Sequence, residues 1–83
     1  MRKIWTKDYL ETVEQVGRRF GVAPQEILGP FRDQRIVVAR HAAFSELRDA
    51  GLTLPRIAKV MNRDHTTVMY GIRRHAERSG AAA

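Results

Sequence analysis

Between residues 6 and 78 the chain is cut at short intervals by residues that start and stop helices, and nowhere between the cuts do apolar and polar residues alternate with period two. A half-buried strand needs that alternation, so the pattern predicts an all-α chain. Thr6 is placed to cap a first helix with Asp8 in its first turn, and Tyr9, Val13, Val16 and Phe20 recur on one face before Gly21. The stretch "APQEILGP" follows, where Pro24 suits a first helical turn and Gly29-Pro30 ends it after one or two turns. Asp33 can cap a third helix reaching to about Asp49. In it Ile36, Val37, Ala43, Phe44 and Leu47 form the apolar stripe, Arg35, Arg40 and Arg48 lie off the stripe, and Gly51 closes the helix. Thr53 caps the short segment "LPRIAKVM", which tolerates Pro55 in its first turn and offers Leu54, Ile57 and Met61 to the core. Asn62 is a left-handed stop, Asp64 a second cap, and a last helix runs from near His65 to about Arg78. The remaining "SGAAA", residues 79–83, reads as a frayed or disordered tail.

With 83 residues the chain has room for one domain, residues 1–83, with a small core. It has no Cys, so packing alone must hold that core. The opening "MRKIW" has no apolar run behind it and no segment is long enough to span a bilayer, which predicts a soluble, intracellular protein with no membrane partner. The Met1 start favours a stand-alone chain over an excised domain. Fifteen Lys and Arg stand against nine Asp and Glu, a net charge of +6, and twelve of the fifteen are Arg. The guanidinium fork pairs with phosphate oxygens in a defined plane, so a polyanion, nucleic acid above all, is the expected partner. His41, His65 and His75 do not have the spacing of a metal site, and no nucleophile and base stand together. An enzyme, a cofactor, a metal and a small-molecule substrate are therefore not expected.

Two short helices joined by a tight turn, the second of them basic, match the helix-turn-helix pattern, whose second helix enters the major groove. In "NRDHTTVMYGIRRH" Val68 and Ile72, with Ala76 beyond, recur every four residues and should pack on Ile57 and Phe44. That turns Thr66, Met69, Tyr70 and Arg73 outward, sets Thr67 between the faces and leaves Asp64 and His65 at the N-terminal tip. A carboxylate accepts from the exocyclic amine of cytosine or adenine, and imidazole and threonine methyls pack on thymine methyls. Two readings stand side by side at this point. Asp64 has work as an N-cap whether or not it meets DNA, Thr66 and Thr67 fit an ordinary first turn, and His65 fits a bland surface as well as a base contact.

The run "RDHTTVMYGIRR", residues 63–74, resembles the signature of the C-terminal DNA-binding domain of the bacterial replication initiator DnaA, in which a closely similar Arg-Asp-His-Thr-Thr-Val opens the recognition helix. "GLTLPRIAKVM", "RDQRIVVARHAAF" and "VEQVGRRFGVAPQEILG" are similar to the preceding segments of that family, so the resemblance covers nearly the whole chain. It implies that Asp64, His65 and Thr66 meet bases in the major groove and that Arg32 enters an A·T-rich minor groove, where a guanidinium gains from the narrow, negative walls. It implies phosphate contacts from Arg63, Thr67 and Arg40, with Leu54 and Pro55 near the backbone and His41, Arg35 and Arg73 beside them. His41 stands where the family commonly has Gln. Phe31 and Asp33 stand where the family's loop is basic, Asn62 replaces a glycine pair with one residue fewer, and Arg56 replaces a frequent Glu. Tyr70 and Gly71 depart as well. The ATPase part of such proteins has no counterpart here: there is no GxxxxGK[ST] loop and no room for one. The expectation is a small helical bundle that binds double-stranded DNA at DnaA-box-like sites and regulates replication initiation or transcription in the bacterial cytoplasm, at the nucleoid. The alternative is an interaction module that keeps the shape and contacts a replication initiator or its regulator, with weak DNA binding or none. Exposure of Trp5, Phe31 or Tyr70 would favour that alternative.

Overall fold

The computed structural model describes residues 6–80. Within them are five helices: α1 (Thr6–Phe20), α2 (Pro24–Leu28), α3 (Gln34–Asp49), α4 (Leu54–Met61) and α5 (His65–Arg78). The caps read from the sequence explain most of the boundaries. The Asp33 carboxylate accepts from the Arg35 amide at 3.0 Å to start α3, and the Thr53 hydroxyl accepts from the Arg56 amide at 3.3 Å to start α4. Glu26 reaches back to the Ala23 amide at 2.9 Å, which steadies the single turn and a half of α2. At the far end of the chain Ser79 and Gly80 are part of the closure of α5, with the Ser79 amide donating to the His75 carbonyl at 3.0 Å and the Gly80 amide to the Glu77 carbonyl at 3.2 Å. Of the tail expected over 79–83, residues 79 and 80 thus close the helix, and residues 81–83 lie outside the described residues.

Helix α3 is the hub, because it packs against each of the other four. Its inward residues Ala39, Ala42, Ala43, Phe44 and Leu47 meet Val13 and Val16 of α1, Ile27 of α2, Ile57 and Met61 of α4 and Val68 of α5 in one cluster. Phe44 and Ile57 are fully buried, and each contributes about 1.5 to 3 kcal/mol by leaving water. Small residues at 39, 42 and 43 let neighbouring helices approach the hub closely. The residues expected in the core on α4 and α5 are there: Ile57, Met61 and Val68 are buried, and Leu54 and Ile72 pack on the cluster from its rim. Among the described residues no helix is long and apolar enough to cross a membrane.

The core also fixes the relation of the last two helices. Asn62 takes up φ 55°, ψ 50°, the left-handed conformation, and turns the chain between α4 and α5 in three residues. The Arg63 amide donates back to the Ala58 carbonyl at 2.8 Å and closes that turn. With α4 and α5 both packed on α3, the tip of α5 is presented from a rigid base.

Candidate nucleic-acid interface

The tip of α5 is built around Asp64. Its Oδ2 accepts from the Thr66 amide at 3.1 Å and also from the Thr66 hydroxyl. These bonds stabilise the charged form and hold the Asp64 carboxyl below the usual carboxylate range. They also set the chemistry of Thr66: its proton points at Asp64, so toward a ligand it offers a methyl group and acceptor lone pairs. His65, Thr66 and Thr67 are all exposed, and Met69, Tyr70 and Arg73 continue that outward surface along the helix. An exposed carboxylate, an imidazole and two threonines thus stand together at the end of a helix carried by a basic protein. Such a surface can accept from base amines and pack on methyl groups.

The loop of residues 29–33 is tied to this turn. The Arg63 guanidinium donates across 34 residues of sequence to the Gly29 carbonyl, and more weakly to the Met61 and Asn62 carbonyls at 3.4 and 3.3 Å. Arg40 grips the same loop from α3, with Nε donating to the Ile27 carbonyl at 2.7 Å and Nη2 to the Glu26 and Gly29 carbonyls at 3.1 and 2.9 Å. Those carbonyls belong to the end of α2, where a helix has no internal donors left, and Arg40 supplies them. Burial, with the neighbouring Arg63 charge, pushes the Arg40 pKa down to about 10, so it stays a cation at neutral pH. Arg32 and Arg35 are exposed on the loop and at the start of α3.

Comparison with known proteins decides the family. The profile described as the bacterial DnaA protein helix-turn-helix matches residues 11–74, well over half of the chain. The chain belongs to the DnaA helix-turn-helix family. Among curated DnaA-family proteins it is similar to the chromosomal replication initiator protein DnaA of Thermus thermophilus, with 36% identity over 72 residues, 84% of this chain and 16% of that protein. It is 34% identical over 74 residues to the DnaA of Deinococcus deserti, covering 88% of this chain and 16% of the relative. With the DnaA of Corynebacterium jeikeium it shares 37% identity over 67 residues, 78% of this chain and 12% of the relative. The chain therefore spans about a sixth or less of the length of these DnaA relatives. No solved structure is matched.

Set against the DnaA resemblance, two expected phosphate ligands are placed elsewhere. Arg40 was expected off the apolar stripe and at the phosphates; it is 7% exposed, and its guanidinium is engaged by the α2 carbonyls. His41 is 6% exposed, stacked near Phe44 and edge-on to Tyr70, with Nδ1 accepting from the Arg78 guanidinium at 2.9 Å. Burial, then the charges of Arg78, Arg40, Arg74 and His75, push its pKa down to about 4. The imidazole is thus neutral at pH 7 and turned toward Phe44, Tyr70 and Arg78 within the protein. Of the other residues the DnaA pattern singles out, Pro55 is exposed at the start of α4, and Leu54 beside it is half-buried against the core.

Two features of this DnaA-like interface escape sequence reasoning. Gly71 is buried on α5 directly over Phe44 and His41, where any side chain would collide. The Arg40 grip joins groups 11 to 14 residues apart and gives no local signal. A residue of the smallest size in the middle of an otherwise strong helix was the one available hint for Gly71. Phe31 and Tyr70 are 50% and 56% exposed, and Trp5 lies outside the described residues.

Proposed function

We propose that the chain binds double-stranded DNA at DnaA-box-like sites, and by occupying them regulates replication initiation or transcription at the bacterial nucleoid. The observation that carries this reading is the Asp64-capped tip of α5, exposed in a helix-turn-helix of the DnaA family and joined through Arg63 to the loop that bears Arg32. In it Asp64, His65 and Thr66 meet base edges in the major groove and Arg32 lies in the adjacent minor groove. Arg63, Thr67, Arg35 and Arg73 contact phosphates, with Leu54 and Pro55 at the backbone. Arg63 suits this because a guanidinium has five donors and its carbonyl partners leave others available. The net charge of +6 supplies the sequence-independent attraction.

The test is a fluorescence-anisotropy titration of a box-bearing duplex and a scrambled one at matched salt. The parent should prefer the box, and His65→Ala or Thr66→Ala should cost about 1 to 3 kcal/mol on the box and little on the scrambled duplex. Folded variants that discriminate as well as the parent refute reading by this helix tip. A second reading is supported by the exposed Phe31 and Tyr70: a module that contacts a replication initiator or its regulator. A parent that binds both duplexes equally weakly moves that reading to the front.

A further inference from the structure

The loop of residues 29–33 has little to hold it by itself. Neither Phe31 nor Arg32 makes a backbone–backbone hydrogen bond with another described residue, and both side chains are exposed. Such a segment is free to move unless its ends are pinned. Here both are. At the far end Asp33 caps α3 through the Arg35 amide. At the near end Gly29 is the meeting point of two cations, its carbonyl accepting from Arg40 on α3 and from Arg63 in the turn between α4 and α5. Arg40 also holds the Glu26 and Ile27 carbonyls, so one buried side chain fixes the last turn of α2 and the root of the loop together. The Phe31 ring lies against Gly29, close enough that a Cβ there would sit 2.8 Å from it.

We infer that Arg40 is a positioning residue for sequence reading: by clasping the end of α2 and the Gly29 carbonyl beside Arg63, it locks the loop so that Arg32 is presented in fixed register with the tip of α5. This rests on the minor-groove role of Arg32 proposed above. Two contacts in neighbouring grooves reinforce each other only when the distance between them is set before binding, because ordering a loose loop on the DNA consumes part of the gain. The clasp does that in advance. A guanidinium is suited to the task because its fork serves several carbonyls at once, whereas the ammonium of Lys is a point donor on a flexible stem.

The experiment uses the full chain with Arg40→Lys, which keeps the charge and the stem, and Arg40→Met, which keeps the stem alone. Backbone order at Phe31 and Arg32 is read by 15N relaxation. In the parent the order parameters should match the helices at about 0.85, and in both variants they should fall below about 0.6. The second readout is a double-mutant cycle with Arg32→Ala on duplexes whose minor-groove segment is A·T or G·C. In the parent, Arg32→Ala should reduce the A·T preference by about fivefold or more. In the Arg40→Lys background its effect should shrink to within about twofold. A role limited to charge predicts full rescue by Lys, and a role limited to folding lowers the melting temperature without changing the Arg32 effect. Either result overturns the clasp, as does a loop that stays rigid in Arg40→Lys. A parent without any duplex preference overturns the DNA reading itself and the Arg32 role with it. A discriminating parent whose Arg32 effect survives in Arg40→Lys overturns the positioning role alone.

Discussion

Replacing Gly71 with Ala tests whether the spacing of α3 and α5 is set by one missing side chain. A Cβ built on Gly71 falls 2.6 Å from Cδ2 and 2.9 Å from Cε2 of Phe44, and 2.8 Å from Cδ2 of His41. Comfortable carbon–carbon contacts lie at about 3.5 to 4.0 Å, so the new methyl is too close by nearly 1 Å on two sides. Neither neighbour can yield, since Phe44 is fully buried against the core and His41 is held by Phe44, Tyr70 and Arg78. The helices must separate instead. Overpacking of this kind costs about 1 to 3 kcal/mol. Against it, Ala is the better helix former by about 1 kcal/mol. The clash wins by about 1 kcal/mol, which lowers the melting temperature of a domain this size by about 4 to 8 °C. Thermal melts followed by far-UV circular dichroism read the shift directly. Trimming the obstacle should recover much of it: Gly71→Ala should be less harmful in a Phe44→Leu background than in the parent. A Gly71→Ala protein as stable as the parent, or more so, means that helix propensity outweighs the contact and that the spacing is set elsewhere.

Acid should weaken the fold through His41. Its folded-state pKa is lowered to about 4 from an ordinary 6.5, so between these values the unfolded chain takes up a proton that the folded one refuses, and stability falls as pH falls through that window. From about pH 7 to about pH 5 the loss is at most about 2 kcal/mol. Urea titrations of the parent and of His41→Gln, which has nothing to protonate there, should diverge over that interval, and parallel curves would refute the assignment. At the tip of α5, Asp64→Asn keeps an N-capping oxygen but changes the acceptor offered to bases. It should leave the melting temperature within a few degrees of the parent while altering preference between box and scrambled duplexes; equal losses on both duplexes would make Asp64 a cap only.

What the sequence determined by itself was local. Asp33, Thr53 and Asp64 cap their helices, and Asn62 turns left-handed, because a cap or a tight turn depends on a side chain and amides two or three residues away. The inward positions of Val68 and Ile57 followed from helical periodicity. The family was legible too, since the signature from Arg63 onward is contiguous. Tertiary structure decided what long-range neighbours impose. Arg40 sits among residues expected to face outward, and only the arrival of the α2 carbonyls over α3 turns its guanidinium inward. His41 becomes a sealed, neutral imidazole only when α5 closes over it and Arg78 comes across from 37 residues away. Gly71 acquires its importance from the ring of Phe44, 27 positions earlier, which no pattern along α5 could announce. The physical division is one of range: hydrogen bonds within a turn are set by adjacent residues. The fate of a cation or a vacancy in the core is set by which distant surface is packed against it.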